Sequence, residues 1–70
     1  MPFVNVRLVR QVIADAPQAK KDEMGREIVK AISKVTGLDE QLVWVTFEEV
    51  DDHDWFVGQK NVKEIRAAAK

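Results

Sequence analysis

Alternating apolar and polar positions predict two β-strands within the first fifty residues. In segment 3–9, β-branched residues are frequent and one face carries three aliphatic side chains, at Val4, Val6 and Leu8. Segment 42–50 alternates in the same way, with apolar side chains on one face at Val43, Val45 and Phe47. Each segment is therefore predicted to bury one face.

A helix is predicted between these strands, because apolar residues recur there at helical spacing, at Met24, Ile28, Ala31, Ile32 and Val35. Its start is predicted at Asp15 as the capping residue, with Pro17 in the first turn and Gln18 completing a capping box. Gly37 is predicted to end the helix. Gly25, inside the helix, costs about 1 kcal/mol relative to alanine. It indicates either close packing on a sheet or a tolerated defect.

A strand, a helix and a second strand form a βαβ unit, whose strands are normally parallel. Parallel sheets are covered on both faces, and one helix covers only one of them. The other face, predicted to hold Phe3, Val9, Leu42 and Trp44, therefore indicates self-association. Segment 55–58 is typical of a hairpin or an edge segment, and Asn61 is predicted to cap a short last helix. The predicted fold class is α+β, a βαβ unit with two parallel strands, one long helix and a short C-terminal hairpin and helix, with residues 1–70 as a single domain assembled into an oligomer.

Composition narrows the class of protein. The 70 residues carry 11 Lys and Arg against 12 Asp and Glu, a net charge of -1, so nothing global draws the chain to nucleic acid or anionic lipid. Cysteine is absent, which excludes disulfides and thiolate metal sites. No apolar run approaches the about 20 residues of a membrane span, and the N-terminus lacks the layout of a signal peptide. We expect a cytoplasmic protein with no nucleic-acid or membrane partner.

The acidic segment 48–54 invites a metal-site hypothesis, since it holds five carboxylates and His53. A calcium loop needs a distal bidentate Glu, and a zinc site needs three or four ligands of the right type. The segment meets neither requirement, so we predict a solvated loop and no metal. The basic residues near the C-terminus are predicted to form a solvated helix face, at Lys60, Lys63, Arg66 and Lys70.

The remaining candidate for chemistry is Pro2, immediately before the first strand. If Met1 is removed, Pro2 presents a free secondary amine. An α-amino group has an ordinary pKa of about 8, and an apolar pocket lowers that pKa toward neutrality. Pro2 is therefore a candidate general base. With Met1 attached, the Pro2 nitrogen is an amide without basicity, and Pro2 then simply begins an edge strand.

Four features match a known family at corresponding spacing: segment 2–6 opening the first strand, segment 31–33 near the helix end, segment 43–49 as the second strand, and the closing segment 55–58. On these features the chain resembles the 4-oxalocrotonate tautomerase family of the tautomerase superfamily along nearly its whole length. The resemblance implies a hexamer built as a trimer of dimers, an N-terminal proline as the base and no cofactor. It also implies proton transfer in small unsaturated or enol carboxylic acids, with arginines holding the substrate oxygens and an aromatic side chain lining the pocket.

The family's site residues carry over in part. Pro2 matches the catalytic proline, and Trp55 matches the pocket aromatic. Trp44 stands where the family has an arginine on strand two, and an indole cannot stabilise an anionic oxygen as a guanidinium does. The other family arginine aligns with Val12, and Arg10 lies two residues earlier, before a loop longer than usual. The resemblance thus implies a catalytic Pro2 and substrate-binding Arg10, Trp44 and Trp55, with an arginine of a neighbouring chain as the alternative anchor.

The leading hypothesis is a cofactor-free tautomerase, an enzyme of the isomerase class, that works as a homo-oligomer on a small carboxylic acid. The alternative is a catalytically weak or inactive oligomeric module, or one chain of a hetero-hexamer. The missing strand-two arginine favours the alternative. The state of Met1 bears on both hypotheses, because only a Met1-free chain has a proline amine.

Overall fold

The computed structural model describes residues 2–69, so the removal of Met1 and the position of Lys70 lie outside the described residues. Three short 3-10 turns connect the main elements, at Arg10–Ile13, Glu40–Leu42 and Asp52–Asp54. The strands and α-helices are, in chain order, β1 (Phe3–Val9), α1 (Pro17–Thr36), β2 (Trp44–Val50), β3 (Phe56–Val57), β4 (Lys60–Asn61) and α2 (Val62–Ala68).

Strands β1 and β2 pair in parallel, with a register that runs from Phe3 opposite Trp44 to Val9 opposite Val50. The predicted βαβ unit is confirmed. The predicted start of the second strand at Leu42 was wrong, because the chain makes a 3-10 turn there before the strand begins. The Asp39 side chain stabilises that turn by accepting a hydrogen bond of 2.9 Å from the backbone N–H of Gln41.

The two ends of helix α1 compare differently with their prediction. Gly37 ends the helix as predicted, with φ of 77°, and its N–H donates to the Ser33 carbonyl at 2.9 Å. The predicted cap at Asp15 was wrong, because Ala16 occupies the N-cap and the Asp15 carboxylate instead accepts from Lys20 Nζ at 2.7 Å. The predicted capping box was wrong for a similar reason. Its Gln18 side chain donates to Asp22 one turn later.

The helix face that meets the sheet is rotated relative to the predicted stripe. The predicted Ala31 and Val35 are exposed, and Val29 is half-buried instead. A Cβ built on Gly25 would lie 3.6 Å from Cε2 of Phe47 on β2, an ordinary van der Waals contact. The helix therefore lies close to the sheet at Gly25, yet a methyl group fits there.

The C-terminal segment folds as predicted into a hairpin and a short helix. Strands β3 and β4 pair antiparallel, and Gly58 in their turn has φ of 65°. Asn61 is buried, and its side-chain oxygen accepts from the N–H of Glu64 at 2.9 Å, which confirms the predicted cap of α2. The Val62 N–H donates to the Trp55 carbonyl at 2.8 Å and joins the helix to the hairpin.

The chain is elongated, with a Cα radius of gyration of 15.1 Å where a compact domain of this length has about 11 Å. Within residues 2–69 the buried apolar side chains are few: Val9, Ile13 and Val43. Val9 was predicted to need a partner from outside the chain, which was wrong, because it is only 9% exposed within the single chain. Large apolar side chains remain exposed over the rest of the surface, among them Phe3, Leu42, Trp44, Phe56 and Val57.

Candidate functional site

Pro2 and Trp44 lie side by side at the edge where both parallel strands begin. The Pro2 carbonyl accepts a hydrogen bond of 3.1 Å from the backbone N–H of Trp44. Phe3, the next residue, is opposite Trp44 in the register. Phe3 is 65% and Trp44 is 56% exposed. The structure thus brings Pro2, the predicted base, next to Trp44, a predicted substrate-binding residue whose partner in the register is Phe3.

Arg10 and Trp55 lie toward the other end of the same strands. Arg10 begins the turn that follows β1, eight residues beyond Pro2. A strand rises about 3.3 Å per residue, so Pro2 and Arg10 are about 25 Å apart. Trp55 lines an open cavity of about 410 Å³ whose other lining residues include Arg7, Glu48 and Val50. A single chain therefore does not unite the four predicted site residues.

The sheet face opposite α1 changes chemistry along its length. Beyond Phe3 and Trp44, the Asn5 amide donates to the Thr46 hydroxyl at 2.9 Å. Two residues further along the strands, Arg7 donates to Glu48 at 3.1 Å, and both side chains are more than half exposed. This exposed ion pair lines the cavity beside Trp55. Sequence reasoning missed this placement, although the parallel register, once known, sets the two residues opposite each other.

Arg10 belongs to a cluster of charged side chains at the C-terminal end of the sheet. Its Nε lies 3.4 Å from Oε1 of Glu49, and its Nη1 lies 3.5 Å from Oδ2 of Asp51. The other carboxylate oxygen of Glu49 accepts a hydrogen bond from Lys21 on helix α1. Val12, which the family resemblance matched to an arginine, lies in the same turn as Arg10 and is half exposed.

Both carboxylates of this cluster are held in the ionised form. The hydrogen bond from Lys21 lowers the pKa of Glu49 against an opposing effect of burial, and the charge of Arg10 adds to the lowering. The backbone N–H of His53 is the main cause that lowers the pKa of Asp51. Glu49 and Asp51 therefore remain anions near neutral pH.

In the acidic segment 48–54, Asp51 takes part in hydrogen bonds that stabilise the local fold. One oxygen of Asp51 accepts from the N–H of His53 at 3.0 Å and caps the turn. The other oxygen accepts from the amide of Gln11, whose own oxygen accepts from the N–H of Asp52 at 3.0 Å. Across residues 2–69, no group of three or more acidic or histidine side chains converges in a way that could hold a metal ion. Over the same residues, neither helix combines the length and apolarity that crossing a membrane requires.

The sequence model of a family described as Tautomerase enzyme matches residues 2–65. The fold is similar to the crystal structure of TomN, a 4-oxalocrotonate tautomerase homologue in the tomaymycin biosynthetic pathway, with a TM-score of 0.84, 29% identity and coverage of 99% of this chain and 100% of that one. It is also similar to DmpI from Helicobacter pylori, with a TM-score of 0.83, 23% identity and coverage of 94% and 97%. No curated protein matches the sequence significantly.

Proposed function

The chain belongs to the tautomerase enzyme family, and on that premise we propose that, once Met1 is removed, it is a cofactor-free tautomerase with Pro2 as the general base. The observation that carries the proposal is the placement of Pro2, which is half-buried, precedes Phe3 and accepts a hydrogen bond through its carbonyl from the backbone N–H of Trp44. An apolar wall disfavours the ammonium form of an amine, so the nitrogen is available as a base.

The proton transfer needs only this amine and a bound enol acid. The Pro2 nitrogen takes the proton of the enol hydroxyl and leaves an enolate, whose oxygen becomes the carbonyl as the C=C electron pair forms a C–H bond at the neighbouring carbon. The resulting ammonium then delivers a proton to the neighbouring carbon, and the product is the 2-keto acid. The amine ends in the state in which it began, so the cycle requires no metal and no redox partner.

The carboxylate of the substrate needs a cation, and we assign that role to Arg10 of a neighbouring copy. Within one chain about 25 Å separate Pro2 from Arg10, and the cations beside the sheet lie at its far end. The exposed edge at Phe3 and Trp44 is where a second copy would pack. An oligomer, which we propose to be a hexamer, would cover that edge and bring Arg10 and Trp55 of one copy to Pro2 of another.

The substrate class follows from what lies beside Pro2. Trp44 supplies an indole where a dicarboxylate substrate would need a second guanidinium, and its partner across the register, Phe3, is also apolar. A substrate with one carboxylate and an apolar remainder fits this edge. We therefore propose small enol monocarboxylates, for which phenylenolpyruvate is a suitable probe.

The experiment compares Met1-free protein, checked by intact mass, with Pro2→Ala and with Pro17→Ala as the matched control at the other proline. Loss of the absorbance of phenylenolpyruvate reports ketonisation. Pro2→Ala is expected to lose at least about tenfold in rate, because a primary amine is a different base on an altered strand start. Pro17→Ala is expected to keep the parent rate. If Pro2→Ala matches the parent, the turnover is not proline chemistry.

One observation favours the alternative, a catalytically weak or inactive oligomeric module or one chain of a hetero-hexamer. Trp44 replaces one family arginine, and Arg10 is already paired with Glu49 and Asp51. Removing one preorganised charge-stabilising donor costs about 10²–10³ in rate, so we expect slow turnover rather than none. Met1-free parent protein without measurable ketonisation would give the alternative the lead.

A further inference from the structure

We propose that Glu49, with Lys21 as its counter-ion, is a positioning residue that fixes the guanidinium of Arg10 for binding a carboxylate. The role of Arg10 as anchor rests on the proposed function. The roles of Glu49 and Lys21 rest on the contacts among the three side chains.

The contacts determine which part of the guanidinium is free. Glu49 holds Nε and Asp51 holds Nη1, so the plane of the guanidinium is fixed at two points. These two contacts are made by Nε and Nη1, not by Nη2, and the Arg10 side chain is 53% exposed. Nη2 is therefore the part of the guanidinium that we propose donates to an incoming carboxylate, in a charge-assisted hydrogen bond.

Lys21 explains how a carboxylate can position Arg10 without repelling an anionic ligand. Glu49 alone would place a negative charge beside the incoming carboxylate and weaken its binding. Lys21 reaches the second oxygen of Glu49 from helix α1 and offsets that charge. Both side chains are less than one quarter exposed, whereas Arg10 is half exposed. Glu49 and Lys21 thus form a half-buried ion pair without net charge, and this pair supports the exposed guanidinium of Arg10.

The test removes the pair without changing the net charge. Lys21→Met/Glu49→Leu replaces the two charges with apolar side chains of similar size, and Asp15→Leu/Lys20→Met removes the neighbouring exposed pair as the matched control. The probe is 3-phenylpropanoate, a saturated carboxylate that cannot tautomerise. Its Kd is measured by nuclear magnetic resonance titration of the Met1-free protein, with circular dichroism as the check of folding.

The Kd is expected to rise about two- to tenfold in Lys21→Met/Glu49→Leu, the cost of ordering one flexible side chain on binding. The control is expected to keep the parent Kd. In an Arg10→Ala background the same double substitution is expected to change nothing further. If the double variant does not fold, Lys21→Met/Glu49→Gln replaces it, with a smaller rise expected.

An unchanged or tighter Kd overturns the inference, as does an equal rise in the Arg10→Ala background or a parent that does not bind the probe. The two proposals fail separately. Parent protein that binds 3-phenylpropanoate but does not ketonise phenylenolpyruvate removes the proposed function and keeps the positioning role. Parent protein that ketonises phenylenolpyruvate, with a Kd for 3-phenylpropanoate that is unchanged in Lys21→Met/Glu49→Leu, keeps the proposed function and removes the positioning role.

Discussion

Trp44→Ala tests the claim that the aromatic edge of the sheet is covered by another copy of the chain. The side chain is 56% exposed in a single chain. A buried tryptophan covers up to about 250 Å², so covering the exposed part removes about 140 Å² from water. At about 25 cal/mol per Å² this is worth about 3.5 kcal/mol for each copy.

A loss of about 3.5 kcal/mol weakens association roughly 300-fold. Sedimentation velocity over a micromolar concentration series measures it directly, and the parent is expected to sediment as an oligomer. Val35→Ala is the control, because this apolar side chain is 85% exposed on helix α1, which packs on the Phe47 side of the sheet and not on the side of Trp44. Its profile is expected to match the parent.

Two results would refute this reasoning. A parent that sediments as a stable folded monomer of 8.0 kDa removes the basis for assembly. A Trp44→Ala profile that matches the parent at every concentration shows that the aromatic edge is not the covered surface. An equal loss in Val35→Ala would assign the contact to the helix side instead.

Three further predictions concern substrate specificity, the effect of Gly25 on stability, and the loss of stability at low pH. Trp44→Arg is expected to raise kcat/KM on dicarboxylate enols about tenfold or more relative to phenylenolpyruvate, since a charged hydrogen bond is worth about 1.5–3 kcal/mol; an unchanged ratio contradicts the assigned role. Gly25→Ala is expected to stabilise the fold by up to about 1 kcal/mol in denaturant unfolding, because its Cβ meets Phe47 at 3.6 Å without a clash; destabilisation would mean that the helix must sit closer. The pKa of Glu49 is lowered by folding, so its contribution is present above its unfolded pKa of about 4.3 and is lost as pH falls through the lower folded value. Urea unfolding from pH 6 to pH 3 is expected to show a smaller loss of stability in Lys21→Met/Glu49→Leu than in the parent, and identical profiles would contradict the coupling.

The βαβ unit could be predicted from sequence because its signal is repeated along each element. Alternation over seven residues specifies a strand face, and a glycine with positive φ ends a helix for a reason local to that residue. The helix start could not be predicted in the same way. Asp15 has two possible partners, the helix N-terminus and Lys20, and the geometry of the folded chain selects the second.

Only the part of the candidate site that follows from the order and direction of the strands could be predicted from the sequence. Pro2 and Trp44 become neighbours as soon as the strands are parallel and in register. The partners of Arg10 come from β2 and the turn that follows it, and their support comes from Lys21 on helix α1, so their meeting depends on how the helix packs on the sheet. No periodic pattern in the sequence encodes that contact.

The parallel register has a consequence for the order in which the protein folds. Every pair between β1 and β2 joins residues 41 positions apart, so no short-range hairpin can start this parallel sheet. Closing a loop of that length costs about 3 kcal/mol of chain entropy once, after which the remaining rows form with little added cost. The main sheet is therefore expected to form in one cooperative step, late relative to helix α1. Closure of the segment between β1 and β2, which contains helix α1, is thus expected to limit the rate at which the strand ends beside Pro2 form.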